Sequence, residues 1–221
     1  MRLALSFLAG LLLGACQAFT PAAPAQSHVS APSVLADMTV TLALDGAICS
    51  GVWVSPRHIL TASHCLEALE HGDSGEYATK SDLAGAVRRI AILDSIDPDN
   101  DLGLLFALVP PPHGIATVSG GEVEQGACVQ GMGSPLGLWF TYSQGVVSAV
   151  RETNLGNGDR WWIQSTAPVS PGSSGGGLFD AEGQLIGIVN SVYGTASHGQ
   201  GLNMFVHTRY ILAYLRRAKV L

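Results

Sequence analysis

Six consecutive residues, Pro171-Gly172-Ser173-Ser174-Gly175-Gly176, set two hydroxyls inside a run of glycines. Glycine is entropically costly to order, so a serine surrounded by it needs a compensating role. One such role is catalytic. A tight turn can direct two backbone N–H groups at one point and leave a serine hydroxyl exposed beside them, as an oxyanion hole next to a nucleophile requires. A plain tight turn or linker has the same composition, so the loop must be weighed with the rest of the chain. Two further segments carry groups that would activate a serine. Thr61-Ala62-Ser63-His64-Cys65 closes the apolar run 51–60, and Asp99-Asn100-Asp101 runs directly into Leu102-Gly103-Leu104-Leu105. An imidazole can take the serine proton, and a carboxylate can hold that imidazole in the required tautomer. Asp97 and Asp99 are alternatives to Asp101. They precede Asn100 in a polar turn and read as solvated, whereas Asp101 alone abuts an apolar strand that could bury it against a histidine.

The chain order His64, Asp101, Ser174 is the chymotrypsin order, distinct from those of subtilisin and the α/β-hydrolases. With it, three blocks resemble the trypsin/chymotrypsin-like serine peptidases, in particular the bacterial HtrA-like and V8-like branches: TASHC at 61–65, DNDLGLL at 99–105, and STAPVSPGSSGGGLFDAEGQLIGIV at 165–189. A fourth, Gly131-Met132-Gly133-Ser134-Pro135-Leu136-Gly137, is similar to a turn in the second barrel of those enzymes. The similarity covers roughly residues 37 to 221. It implies an all-β fold of two six-stranded antiparallel β-barrels with a C-terminal helix.

The resemblance also implies roles. Ser174, the serine that precedes Gly-Gly, would be the nucleophile, with Ser173 as the variable neighbour. His64 would be the general base and then the general acid, and Asp101 would orient it. The N–H groups of Gly172 and Ser174 would form the oxyanion hole. The residue six before the nucleophile, Pro168, would lie at the base of the S1 pocket with Val169 beside it. Asn190, Ser191 and Val192 would form its wall and pair with substrate as an added strand. No acidic residue is there to hold Lys or Arg, so a shallow pocket for small or medium apolar P1 residues is implied. V8-like enzymes use a cleft histidine to select glutamate, and His198 does not stand in a matching place. A disulfide spans this spacing in the family, which carries over to Cys49–Cys65. Closing such a loop stabilises by roughly 3 kcal/mol in the chain-entropy model. Cys128 is left over and is expected to be a small buried apolar residue. A metal site built from Cys49, His64, Cys65 and Cys128 would lack any C-x-x-C pair, so no metal and no cofactor are expected. No PDZ domain is expected to follow, since the chain ends soon after the helix.

These residues need short strands to hold them. Apolar segments broken by Gly, Pro and Asn predict strands over 38–44, 48–54, 87–92, 103–108, 145–150, 161–164 and 185–190, with turns at Asp45-Gly46 and 180–183. A short helical stretch is expected over 62–70. Ile211, Leu212 and Leu215 predict an amphipathic helix over 208–218. The first barrel would span about 37–112 and the second about 120–206, with the boundary near 112–120, to which Val109-Pro110-Pro111-Pro112 leads.

The N-terminus is a targeting signal. Arg2 precedes the apolar run 3–13, which is too short to span a membrane and ends in Leu13-Gly14-Ala15-Cys16. That ending resembles a bacterial lipobox, with 1–15 cleaved and Cys16 acylated. An ordinary secretory signal cut near Ala18 is the alternative, and both readings export the protein to the cell envelope or beyond. Residues 16–36, rich in Ala, Pro and Ser, read as a flexible tether, with His28 inside it. A net charge of −6 with 11 scattered Lys and Arg residues argues against nucleic-acid binding. The expectation is an extracytoplasmic serine endopeptidase acting on proteins or peptides. A non-catalytic or latent peptidase-fold binding lipoprotein is the alternative, and an esterase with the same triad is a third.

Overall fold

The computed structural model describes residues 30–44, 46–84, 88–111, 113–155, 158–192 and 202–221. Cys16, His28, most of the proposed tether, Asp45, Val87, Pro112 and His198 lie outside the described residues. A short helix α1 (Pro32–Asp37) leads into the first six strands. They are β1 (Thr39–Leu44), β2 (Ala47–Trp53), β3 (His58–Thr61), β4 (Ser74–Thr79), β5 (Arg89–Asp97) and β6 (Leu102–Ala107), closed in the order β1-β2-β3-β6-β5-β4. The next six are β7 (Cys128–Gly133), β8 (Thr141–Asn154), β9 (Asp159–Ser165), β10 (Gly177–Phe179), β11 (Leu185–Val192) and β12 (Asn203–His207), closed in the order β10-β11-β12-β9-β8-β7. All pairings between these strands are antiparallel, and helix α2 (Thr208–Arg217) follows β12.

Strand alternation explains why the apolar runs are continuous. Successive side chains point to opposite faces, and on the strands at the seam both faces are buried. On β1–β3 and β6, one set (Val40, Leu42, Trp53, Ile59, Leu105) fills the first barrel. The alternate set (Val52, Leu60, Leu102, Leu104) meets Met132, Phe179, Ile188 and Met204 from the second barrel in the seam between them. Val129, Val147, Ile163, Leu178 and Phe205 fill the second barrel. Ile211, Tyr214 and Leu215 lay the apolar face of α2 against the seam, which is why that helix shows a one-sided pattern.

Three expectations are corrected. The end of the proposed tether is packed: Leu35 is fully buried in the seam core and Thr39 Oγ1 donates to its carbonyl, 2.8 Å away. One large apolar side chain inside an Ala/Pro/Ser stretch is enough to dock it. Cys128 is exposed, because alternation turns its neighbour Val129 into the barrel and sends Cys128 outward. The helical stretch expected over 62–70 reduces to a single 3-10 turn, Ser63–Leu66.

Candidate active site

His64 stands in that 3-10 turn, directly after β3, and Asp101 stands directly before β6. β3 and β6 are paired neighbours, Thr61 opposite Gly103, so the sheet brings the two residues together across 37 positions of chain. Asp101 is 5% exposed. Its Oδ2 lies 2.9 Å from His64 Nδ1, its Oδ1 accepts the His64 backbone N–H at 2.9 Å, and Ser63 Oγ donates to Oδ1 at 3.0 Å. Burial alone would raise the Asp101 carboxyl, but the bonds and charge of His64 and the bond from Asn190 outweigh it, and it sits below its ordinary range. The hydrogen bond to Asp101 holds His64 above 6.5. Burial opposes this, and the charges of Asp101 and Glu67 reinforce it.

Asp101 adopts a left-handed backbone, φ 50° and ψ 48°, at the end of the Pro98–Asn100 turn. That conformation is uncommon outside glycine and persists where surroundings over-determine it. Here the surroundings are specific. Asp97, which the sequence reading leaves solvated, is buried. Its carboxylate accepts Asn100 Nδ2 at 2.9 Å and Arg217 Nη2, from the last turn of α2, at 2.7 Å. Arg160 Nη1 donates to Asn100 Oδ1 at 2.6 Å. The carboxyl of Asp97 feels burial first, which would raise it, but Asn100 and Arg217 bring it below its ordinary value. Asp99 is exposed, as expected of a loop residue.

Asn190 has a role that sequence reasoning missed. It is expected to form the S1 wall and pair with substrate, yet its Nδ2 donates to Asp101 Oδ2 at 2.6 Å while its Oδ1 accepts from Ser191 Oγ. The register between β11 and β12 slips between Val189 and Ser191, leaving Asn190 as the extra residue of a bulge. A bulge re-aims a side chain, here across the seam toward the first barrel. Ser63, too, was missed as a carboxylate donor.

Gly172 has φ +96°, and a Cβ there would lie 2.5 Å from the Ser134 carbonyl oxygen. Gly175 has φ +80°, and its Cβ would overlap Thr61 Oγ1 and Ser50 O. Glycine is therefore required at 172 for the loop to lie against the Ser134–Leu136 turn, and at 175 for it to lie against the chain leading to His64. The Ser174 carbonyl accepts the Ser50 N–H at 2.8 Å, which ties this loop to β2 of the first barrel. The Pro171 carbonyl accepts the Leu136 N–H at 2.7 Å, and the Ser173 carbonyl accepts the Gly176 N–H at 2.8 Å. Among the described residues the N–H groups of Gly172 and Ser174 have no partner. The Cys49–Cys65 disulfide joins β2 to the His64 turn, with an S–S distance of 2.00 Å. Of the residues expected around S1, Pro168 and Ser191 are exposed, Val192 is half-buried, and Val169 packs against the core of the second barrel. The chain that continues the expected pocket wall, 193–201, lies outside the described residues. No group of His, Cys, Asp and Glu suited to a metal ion occurs among the described residues.

A family model described as the trypsin-like peptidase domain matches residues 49–188. The chain is 28% identical over 149 residues to a probable periplasmic serine endoprotease DegP-like of Pseudomonas fluorescens, covering 67% of this chain and 30% of that protein. It is 31% identical over 169 residues to the chloroplastic Protease Do-like 1 of Arabidopsis thaliana, covering 71% of this chain and 36% of that one. It thus spans about a third of the length of these relatives. Among solved structures, the HtrA-type protease AlgW with a tripeptide superposes with a TM-score of 0.73 at 25% identity, over 85% of this chain and 63% of that one. The serine endoprotease of Yersinia pestis gives 0.71 at 21% identity, over 86% and 66%, a likeness of fold.

Proposed function

The chain belongs to the trypsin-like peptidase family, and from that premise we propose that it is a serine endopeptidase in which His64, Asp101 and Ser174 do the chemistry. The observation that carries this reading is the buried Asp101 carboxylate bonded to both Nδ1 and the backbone N–H of His64. With Nδ1–H donating to an ionised carboxylate, His64 Nε2 carries a lone pair. It takes the proton from Ser174 Oγ as that oxygen attacks the substrate carbonyl carbon. The carbonyl electron pair moves onto oxygen, where the N–H groups of Gly172 and Ser174 receive it. On collapse, the C–N bond breaks and the imidazolium returns its proton to the leaving amine, which leaves an acyl-enzyme. Water, deprotonated by His64, then attacks the ester carbonyl; the acyl C–O bond breaks, and the imidazolium returns its proton to Ser174 Oγ.

Pro168, Val169 and Val192 would line a pocket for small or medium apolar P1 residues, and the backbone of 190–192 would pair with an extended substrate. An extracytoplasmic site of action is supported by the periplasmic naming of the DegP-like relative and by a disulfide, which an oxidising compartment permits. Acylation of Cys16 would then anchor the enzyme in the envelope. A latent form is a second reading. It is favoured by one observation: among the described residues no hydrogen bond joins His64 Nε2 to Ser174 Oγ. Such contacts are often long until substrate binds.

The test treats protein beginning at residue 17, wild type and Ser174→Ala, with a fluorophosphonate and with unfolded casein. Labelling at Ser174, with cleavage lost in the variant, is the expected result, and the cut sites report P1. Labelling without cleavage would mean a narrow substrate or a missing activator, and a folded protein that does not label would favour the latent reading. Cleavage that persists in Ser174→Ala would overturn the assignment.

A further inference from the structure

The loop bearing Gly172 and Ser174 is held by a buried hydroxyl from the opposite barrel. Ser50, in the middle of β2, is 0% exposed. Its Oγ donates to the Gly172 carbonyl at 2.8 Å and accepts the Ser134 N–H at 2.9 Å. Its N–H donates to the Ser174 carbonyl at 2.8 Å, and its carbonyl accepts Thr61 Oγ1 at 2.7 Å. Ser134 Oγ continues the strap to Thr41 Oγ1, 2.6 Å away on β1. Ser50 thus joins its own strand to the end of β3, to the β7–β8 turn and to the catalytic loop.

Three successive peptides matter. The outer two, 171–172 and 173–174, carry the Gly172 and Ser174 N–H groups. The middle one, 172–173, is fixed at both ends, its oxygen on Ser50 Oγ and its N–H on the Ser170 carbonyl at 2.9 Å. All the peptides are trans, so each N–H points away from its own carbonyl. The carbonyls of the outer two are held by the backbone N–H groups of Leu136 and Gly176, contacts that survive any side-chain change. The carbonyl of the middle peptide depends on a side chain, the Ser50 hydroxyl. Gly172 has no Cβ to resist rotation, so the middle peptide is where this loop turns most easily.

We propose that Ser50 is the positioning residue of the oxyanion hole: its hydroxyl fixes the 172–173 peptide and thereby the aim of the N–H groups on either side. The proposal rests on the peptidase reading above. Ser50 touches no substrate and acts through Gly172. Loss of the hydroxyl lowers transition-state stabilisation and leaves substrate binding nearly untouched.

The experiment compares wild type, Ser50→Ala and Thr41→Val on a peptide substrate taken from a casein cut site. Affinity for a boronic acid of the same sequence, which forms a tetrahedral adduct with the serine, is measured alongside. Removing an oxyanion donor outright costs roughly 100- to 1,000-fold in kcat, so misaiming one is expected to cost about 10- to 100-fold. For Ser50→Ala the expected result is that fall in kcat, KM within about threefold, and boronate affinity falling in step with kcat. Thr41→Val breaks the same strap at its far end, two links away from Gly172, and is expected to lower stability but keep kcat. Should Ser50→Ala not fold, Ser50→Cys keeps the volume with a weaker donor and is expected to lose kcat partially. Full kcat in a folded Ser50→Ala or Ser50→Cys, or an equal loss of kcat in Thr41→Val, overturns the proposal alone. A folded wild type that neither labels with fluorophosphonate nor cleaves overturns the peptidase reading and this inference together.

Discussion

Alanine at two glycines separates backbone strain from the geometry of the catalytic loop. Gly172 and Gly126 both have positive φ, +96° and +88°. A Cβ on Gly126 meets nothing within 4 Å, whereas one on Gly172 lies 2.5 Å from Ser134 O and 3.1 Å from Leu136 N. At Gly126 the cost is the left-handed conformation alone, about 1–2 kcal/mol. At Gly172 the overlap adds to it. The atoms struck are backbone, and Ser134 is held by Ser50 through its N–H and by Thr41 through its Oγ, so they have little room to retreat. Overpacking of this kind costs about 1–3 kcal/mol, which gives about 2–5 kcal/mol in total for Gly172→Ala. The strain is relieved by moving the loop, and a moved loop takes the Gly172 N–H off target, with kcat falling roughly 100-fold or more. Urea denaturation and steady-state kinetics on both variants read the two effects. Gly126→Ala is expected to lose stability with kcat unchanged, and Gly172→Ala to lose more stability and nearly all activity. Wild-type kcat in Gly172→Ala, or equal kcat losses in the two variants, would refute the reasoning.

The remaining predictions concern charge and the α2 contact. The proposed mechanism requires neutral His64, and Asp101 raises its value above 6.5, so kcat/KM is expected to rise with pH through a midpoint above 6.5. The same shift has the opposite sign for stability. The charged His64–Asp101 pair stabilises the fold below the unfolded histidine value, and that contribution disappears as pH rises through the folded one. A pH–rate profile with its midpoint below 6.5 would contradict this. His207 is buried and caps α2 by accepting the Arg209 N–H on Nδ1, and burial first, then Arg209, lower it to about 4. A lowered histidine stabilises above its unfolded value, so on the order of 3 kcal/mol should be lost as pH falls from about 6.5 to 4. His207→Asn keeps a capping acceptor and should flatten that part of a pH–stability curve; an unchanged acid slope would count against it. Arg217→Ala removes the α2 contact to Asp97. Arg217 is 62% exposed, so water screens the pair and the stability loss should stay within about 1 kcal/mol. Because Asp97 caps the turn that ends at Asp101, kcat should nevertheless fall several-fold, and an unchanged kcat would dissociate α2 from the site.

The barrels were legible because their strands at the seam are apolar on both faces. The continuous run 51–54 and the segment 102–105 could be recognised without knowing which face met which barrel. Strands with one polar face were harder. Ser74–Thr79 carries Gly75 and Glu76, and Thr141–Asn154 carries Gly145 and polar residues over its first half, so β4 was passed over and β8 was expected at less than half its length. β10 is three residues of a glycine-rich stretch and exists only because β7 and β11 flank it. Leu35 shows the converse: tertiary packing gave order to a segment whose composition predicts none.

The candidate site divides along the same line. His64, Asp101 and Ser174 are recognisable because each lies in a local motif whose residue types already suggest its chemistry. Their supports are not local. Ser63 contacts Asp101 because β3 and β6 are paired, Asn190 because a bulge turns it out of β11, and Ser50 contacts Gly172 across 122 positions of chain. None of the three is an unusual residue for its place, and nothing in sequence spacing singles them out. Their arrangement still has a physical direction. Asp101 is fixed chiefly from within the first barrel, with Asn190 reaching in from the second and Arg217 holding the neighbouring Asp97, and the Gly172–Ser174 loop belongs to the second barrel but takes hold of the first through Ser50. The proposed base and the proposed oxyanion donors are therefore aligned only as well as the seam between the barrels is packed. Changes to that seam that displace Ser50 or Asn190 should reach kcat before they reach substrate binding.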